Sequence, residues 1–271
     1  MTTLDAAAGA ALMDELTKII AHAAETILNL AGQAGVCTKP DGSPVTAADE
    51  AAEACICEGL RRLVPAVPII SEEQASRERP AAIERQNYFL VDPLDGTREF
   101  VAGRNEYTVN IALMSGGSNA HPQPLLGLIA APALALTWRG IVGRGAERIT
   151  LAGKPGAKST IIHTRPQRQA EPVIMVSRSH LDQRTRGFVD GFPQARLMQS
   201  GSSVKLCRIA EGSADLYPRL APTRDWDIAA GHAILEAAGG GVTAPDGSPL
   251  RYGTPDLLIP AFIARGQPAT A

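Results

Sequence analysis

Residues 88–100 read YFLVDPLDGTREF. The run from Tyr88 to Val91 is apolar and bulky, as expected of a strand that could be buried on both faces. The pattern then breaks. Asp92 and Asp95 stand three residues apart. Pro93, between them, cannot donate to a sheet ladder, and Gly96 behind them permits a tight turn with close backbone approach. Two carboxylates held ~4 Å apart repel by about 4 kcal/mol at an effective dielectric of 20. A divalent cation offsets that repulsion directly, and an all-oxygen donor set favours Mg²⁺, Mn²⁺ or Ca²⁺ over zinc. In this reading the Leu94 side chain turns inward and leaves its carbonyl as a further oxygen ligand. Thr97 caps a following helix, whose first amides, around 96–98, suit an anion. The same stretch, taken alone, is also a strand, a proline turn and two capping aspartates.

Two other stretches bear on that choice. AVPII (66–70) is a short strand leading into Ser71, Glu72 and Glu73, as the 88–91 run leads into Asp92. If the two strands are neighbours, their C-terminal ends set Glu72 beside Asp92. RDWDIAAG (224–231) supplies Asp225 and Asp227 at a helix start, where either also reads as an N-cap.

Outward from these, residues 10–31 carry Leu12, Leu16, Ile19, Ala23, Ile27 and Leu30 at steps of three and four, an amphipathic helix. TKPDGSPVT (38–46) reads as a turn-rich loop. Thr46 then caps a second helix with Asp49 at its third position, the pattern of a capping box. Residues 87–91, 107–114, 124–134, 134–140 and 147–152 look like successive strands of an antiparallel sheet. Beyond 158 the character changes. Strands at 172–179, 194–201, 214–220 and 241–245 alternate with helices at 180–192, 202–212 and 225–240, which argues for an α/β half. The expectation is an α+β fold with a sub-domain boundary near 158. Residues 1–158 would hold the antiparallel sheet and most candidate ligands, and 159–271 would supply Asp227 and substrate contacts.

The composition excludes several classes. With 26 basic and 28 acidic residues there is no cationic excess to bind a nucleic-acid backbone. At 4% aromatic residues there is no stacking platform for single strands either. No apolar run approaches the ~20 residues of a membrane helix, and Asp5, Asp14 and Glu15 stand where a secretory signal would be basic and apolar. Four cysteines without a Cys-x-x-Cys pair read as free thiols of a reducing compartment, so a cytoplasmic protein is expected.

In the second half, Ser202 and Ser203 open a helix and would offer amides and hydroxyls to an anion. Lys205 lies in its first turn. Arg219 ends a strand, with a planar fork suited to a phosphate, and His180 could stack on a purine or bond to phosphate. Each also reads blandly, as a solvated charge or a structural histidine. His232 sits among small apolar residues and reads as a packing residue, and Trp226 as the seat of Asp227.

SEE (71–73), VDPLDGT (91–97) and WDIAAGHAIL (226–235) together resemble the inositol monophosphatase family of metal-dependent phosphomonoesterases, in spacing and order along most of the chain. KPDGSPVTAAD (39–49), EYTVNIAL (106–113), VSRSH (176–180) and GSSVKLCRIAEGSADLYPRLAPT (201–223) look like its 3′(2′),5′-bisphosphate nucleotidase branch. The stretches AGRNEY (102–107) and 144–172 carry less of that pattern. The resemblance implies a layered αβαβα fold and a site for two or three Mg²⁺ ions. Their ligands would be Glu72, Asp92, Asp95, Asp227 and the Leu94 carbonyl, with Asp92 bridging two ions. Asp49 with Thr97 would orient the attacking water, assisted by Glu72. The amides of Gly96 and Thr97 would meet the scissile phosphate, and His180, Ser202, Ser203, Lys205 and Arg219 the rest of a bisphosphorylated nucleotide. The implied reaction takes adenosine 3′,5′-bisphosphate to AMP and phosphate, clearing a by-product of sulfate activation. Peripheral contact with the cytoplasmic face of the inner membrane is compatible. An inositol- or sugar-monophosphatase with the same core is the alternative, against which GSSVK and YPR weigh. A non-catalytic nucleotide or metal sensor would have lost a ligand, and none is lost.

Overall fold

A computed structural model of the 271-residue chain describes residues 6–32, 35–39, 42–78, 86–116, 121–150, 153–166, 171–178 and 181–267. His180 lies outside the described residues.

Helix α1 (Ala6–Leu30) buries Met13, Leu16, Ile20, Ala23 and Ile27, one stripe at helical spacing. Leu12, Ile19 and Leu30, expected in the same stripe, flank it and are partly buried. The stretch expected to be loop between the first two helices is a hairpin, β1 (Val36–Thr38) against β2 (Pro44–Thr46), antiparallel with Cys37 opposite Val45. Gly42, at φ +83°, supplies the left-handed turn that lets the strands meet. Helix α2 (Ala47–Leu63) starts from the capping box of Thr46 and Asp49.

Strand β3 (Ile69–Ser71) leads directly into α3 (Glu72–Arg77), and β4 (Tyr88–Asp95) into the short α4 (Thr97–Val101). The antiparallel run follows: β5 (Thr108–Met114), β6 (Pro124–Ala131), β7 (Leu136–Ile141), β8 (Gly145–Thr150) and β9 (Lys158–Ile162). β6 is shorter than its apolar sequence suggests, because Pro132 opens a 3₁₀ turn and Ala135 sits at φ +53°. These strands form one seven-stranded sheet in the order β3-β4-β5-β6-β7-β8-β9, with only β3–β4 parallel. The sheet ends at Ile162, a little past the compositional change near 158.

The second half contributes β10 (Val173–Ser177), α5 (Gln183–Asp190), β11 (Arg196–Ser200), α6 (Val204–Ala210), β12 (Leu216–Arg219), β13 (Thr223–Arg224), α7 (Asp225–Ala237), β14 (Gly241–Thr243), β15 (Leu258–Ile259) and β16 (Phe262–Arg265). Its five-stranded sheet runs β11-β10-β12-β16-β14, parallel at β11-β10-β12 and antiparallel beyond, while β13 and β15 pair separately.

Three apolar clusters give the layering. α1 and α2 pack Leu16, Ile20, Ile56 and Leu60 on one face of the large sheet against Phe89, Val91, Ile111 and Leu128. α6 and α7 fill the space between the large sheet and the small one. α5 covers the outside of the small sheet through Val189, against Ile174, Val176, Leu216 and Ile263. The order is helix, sheet, helix, sheet, helix, as the resemblance implies. α7 is buried almost all round, which suits a helix enclosed by sheets on both sides. It closes on β6 at Gly127, where a Cβ would lie 2.2 Å from the Ala230 carbonyl oxygen.

Candidate active site

Because β3 and β4 are parallel and in register, with Ser71 opposite Val91, the next residues leave the sheet side by side. Those residues are Glu72 and Asp92. The β4–β5 ladder then slips. Asp92 pairs with Asn110 and Asp95 with Thr108, so β4 spends one extra residue where Pro93 cannot donate. The bulge sets Asp92 and Asp95 at one end of the sheet. The Leu94 side chain is buried in the core below, and its amide donates to Asp92 Oδ1 at 3.0 Å.

The helix after the bulge is capped by Gly96 at φ +92°, and Thr97 is its first residue rather than its cap. That corrects the expectation. The left-handed conformation at the cap is one glycine adopts freely, and it leaves the Thr97 hydroxyl for other partners. These are Asp49 Oδ1 at 3.0 Å and the Leu94 carbonyl at 3.2 Å. Asp49 divides its two oxygens. Oδ2 accepts from the Thr46 amide at 2.8 Å and the Thr46 hydroxyl at 2.7 Å, while Oδ1 faces Thr97. The helix cap and the contact to Thr97 are therefore made by one carboxylate. Asp227 repeats the device at the third position of α7, where Oδ2 accepts from the Arg224 amide at 3.0 Å and from the Thr223 hydroxyl.

The acids raise one another. Burial first, then the charges of Glu72, Asp95 and Asp227, push the Asp92 carboxyl well above the usual range. Asp95 is pushed up to about 7 by burial and by Asp227, against the pull of Lys205, Arg219 and the Ser203 amide. Glu72 is raised by burial and by Asp227, and it shares a hydrogen bond with Asp92. Among the described residues no three of the acids already stand as a finished coordination shell. Glu72, Asp92 and Asp95, each raised by burial and by neighbouring acids, with Asp227 among those neighbours, are nonetheless the charge pattern a hard cation relieves, and the donors are all oxygen. The residues fit Mg²⁺ in chemistry and charge.

One cation here was not foreseen. Lys39, 8% exposed, reaches from the hairpin to Glu72 Oε1 at 2.7 Å and Glu73 Oε1 at 2.6 Å. Burial works against its charge, but the two glutamates outweigh that and hold the ammonium above the usual lysine range. Glu73, buried, is pushed up to about 7. The sequence signal was the KPDG turn, which marks a loop but not where its lysine points.

Glu72, Asp92, Asp95 and Asp227 line a cleft of about 890 Å³. Gly96, Thr97, Ser202, Lys205, Arg219 and Trp226 line the same cleft. Ser202 sits at φ +44°, and its buried hydroxyl has no hydrogen-bond partner. Arg219 Nε is likewise buried without a partner, while its terminal nitrogen donates to the Pro222 carbonyl at 3.3 Å. Burial opposes the Arg219 charge, but Tyr217, Asp227 and Asp95 hold it above its ordinary range. Lys205 is 2% exposed. Its ammonium lies 3.4 Å from the Ser200 carbonyl, also reaches the Ser202 carbonyl, and lies 5.1 Å from the centre of the Tyr217 ring.

Ser203 differs from expectation. Its hydroxyl lies 2.7 Å from both Asn110 Oδ1 and Thr108 Oγ1 on β5, and its amide donates to Asp95 Oδ2 at 2.6 Å. Neither group is free for an anion, because α6 starts only at Val204 and Ser203 is held against the large sheet. Trp226 is buried beneath the Arg224 guanidinium, 5.9 Å from ring centre to Cζ, beside Asp227. His232 is buried away from the cleft, with Nδ1 2.9 Å from the Tyr252 hydroxyl, as a packing residue.

The profile of the inositol monophosphatase family matches residues 1–270. The chain is 38% identical over 259 residues to the 3′(2′),5′-bisphosphate nucleotidase CysQ of Escherichia coli K12, covering 93% of this chain and 98% of that one. It is 42% identical over 229 residues to CysQ of Salmonella typhimurium, covering 83% and 86%. Among solved structures, CysQ from Bacteroides thetaiotaomicron superposes with a TM-score of 0.74 at 32% identity, covering 93% and 96%. An inositol monophosphatase from Anabaena superposes with 0.74 at 26% identity, covering 95% and 91%.

Proposed function

The chain belongs to the inositol monophosphatase family, and we propose that it is a metal-dependent 3′(2′),5′-bisphosphate nucleotidase that takes adenosine 3′,5′-bisphosphate to AMP and phosphate. The observation that carries this is that two sets of groups line one cleft. Asp92 and Asp95 flank a proline bulge with Glu72 and Asp227 at hand, and in the same cleft Ser202 Oγ and Arg219 Nε are buried donors without partners. The acids suit cations and a scissile phosphate. The unpartnered donors suit a further anionic group, which a bisphosphate has and inositol 1-phosphate lacks.

Glu72, Asp92, Asp95, Asp227 and the Leu94 carbonyl would hold Mg²⁺, with two ions balancing the four carboxylates and a third arriving with a phosphate dianion. Bound there, magnesium supplies a water acidic enough to ionise near neutral pH and a positive charge for the departing ribose oxygen. The protein's own groups do the rest. Asp49 Oδ1 fixes the Thr97 hydroxyl, so that the Thr97 oxygen can aim the attacking water at phosphorus. Glu72 accepts the proton that water gives up. Gly96 and Thr97 offer backbone amides to the transferring phosphoryl oxygens, and Arg219, Ser202 and Lys205 meet the second phosphate.

No helix among the described residues is long and apolar enough to cross a membrane. The cysteines of the chain are free, which suits the cytoplasm, with contact at the inner membrane face at most peripheral. Clearance of a sulfate-activation by-product is the role that fits the substrate. The test is phosphate release in Mg²⁺ from adenosine 3′,5′-bisphosphate against inositol 1-phosphate. A preference above about tenfold for the bisphosphate is expected. A comparable preference for the inositol phosphate would replace this reading with a monophosphatase.

A further inference from the structure

The turn that carries Ser202 is held from outside the cleft. Glu106, in the segment between α4 and β5, accepts from Arg178 twice: Nε to Oε2 at 3.0 Å and a terminal nitrogen to Oε1 at 3.1 Å. The same Glu106 Oε2 accepts from the Gly201 amide at 3.1 Å. Arg178 follows β10, and its own amide donates to the Ser200 carbonyl at 3.2 Å. A carboxylate from the large-sheet half thus grips two points of the small-sheet half, on either side of the β11 end.

The packing leaves no slack there. A Cβ on Gly201 would lie 2.6 Å from the Glu106 carbonyl oxygen and 2.9 Å from Glu99 Cγ. A Cβ on Gly96 would lie 3.2 Å from the same Glu106 oxygen and 3.4 Å from Ser202 Cβ. Residue 202 itself is held in the left-handed region, at φ +44°, which a serine rarely adopts without support. Neither Glu106 nor Arg178 lines the cleft, but Gly201 and Ser202 do. The pair is partly exposed, at 25% and 35% of the side chain, so its value lies in geometry more than in raw stability.

We propose that Glu106 and Arg178 are a positioning pair that sets the Gly201–Ser202 turn and so tunes preference for substrates with a second anionic group. They touch no reacting atom and act through the buried Ser202 hydroxyl. The proposal rests on the nucleotidase reading above and adds to it the residues that select the second phosphate. Slackening the pair removes a contact made equally in the ground and transition states, so KM changes while kcat does not.

The test compares Glu106→Gln, Arg178→Ala and the conservative Arg178→Lys with the parent enzyme in Mg²⁺, on adenosine 3′,5′-bisphosphate and adenosine 3′-monophosphate. For the monophosphate the readout is KM, or Ki as a competitor where turnover is too slow. Glu106→Gln and Arg178→Ala should raise KM for the bisphosphate about tenfold and leave kcat within about twofold. They should leave the monophosphate constant unchanged, and Arg178→Lys should restore part of the bisphosphate KM. An equal weakening toward both substrates, or an unchanged bisphosphate KM in folded Glu106→Gln protein, would overturn the proposal. A parent enzyme inert toward the bisphosphate would instead remove the functional reading itself, and that is seen before any variant is made.

Discussion

Asp49 holds its own helix start with one carboxylate oxygen and the Thr97 hydroxyl with the other, 3.0 Å away and 48 residues along the chain. The two jobs can be separated by mutation. Thr97→Ala leaves the helix cap intact and removes the hydroxyl's bonds to Asp49 and the Leu94 carbonyl, so kcat should fall by about 10²-fold or more while the thermal midpoint moves by less than about 4 °C. Asp49→Ala removes both the cap contact and the Thr97 contact, and should add a cap loss of about 1 kcal/mol to a similar loss of rate. Calorimetry beside steady-state kinetics checks both. Full turnover by Thr97→Ala would remove Thr97 from the mechanism.

Asp92→Asn keeps an acceptor for the Leu94 amide but deletes one of the mutually repelling acids. Turnover should fall by about 10³-fold. In chelator, the variant should melt higher than the parent, by the equivalent of about 1–3 kcal/mol, since a buried unpaired carboxyl is costly. Mg²⁺ should raise the parent's melting temperature and have little effect on the variant's. Thermal scans with and without Mg²⁺ read this, and a variant with parental turnover would remove the metal mechanism.

His232 gives a pH dependence remote from the cleft. Burial lowers its pKa to about 4, from an ordinary 6.5. The folded state thus binds fewer protons than the unfolded chain between those values. The stability it contributes is present above pH 6.5 and is lost as pH falls towards 4. The loss is about 3 kcal/mol at most. Urea midpoints measured from pH 7 to 4 should fall less steeply for His232→Gln than for the parent. Parallel curves would show that His232 titrates normally.

Gly127→Ala places a methyl group against the Ala230 carbonyl. The clash is with backbone, so α7 must shift, at a cost of about 1–3 kcal/mol or more. Asp227 sits on that helix, so Mg²⁺ stabilisation should weaken along with the melting temperature. Thermal scans with and without Mg²⁺ would detect both. An unchanged Mg²⁺ response would show that Asp227 keeps its place when the helix moves.

Much of the site was legible because it rests on short-range rules. A run of strand formers ending in Pro93 announces a broken ladder, and two strands that each end in an acid predict Glu72 beside Asp92 once they are parallel. Periodicity in the helices and the alternation of elements beyond 158 announced an antiparallel half and an α/β half, while the layered order came only from the family resemblance. What could not be read depends on contacts distant in sequence. Lys39 meets Glu72 and Glu73 across 33 and 34 residues, and nothing local distinguishes it from a surface lysine. The type of residue at 203 was informative, but the direction of its hydroxyl, toward Thr108 and Asn110 rather than the cleft, is set by packing on β5. The hairpin at 36–46 hid for a similar reason: three-residue strands carry too little alternation to stand out beside a glycine turn.

Asp49 and Asp227 each stand third in a helix and each bond back to the chain just before it. Losing either to a residue that cannot accept a hydrogen bond would cost folding as well as chemistry. A descendant of this protein that had abandoned catalysis would therefore be expected to carry asparagine or serine at both positions, so that its inactivity would show as an amide or hydroxyl at a helix start.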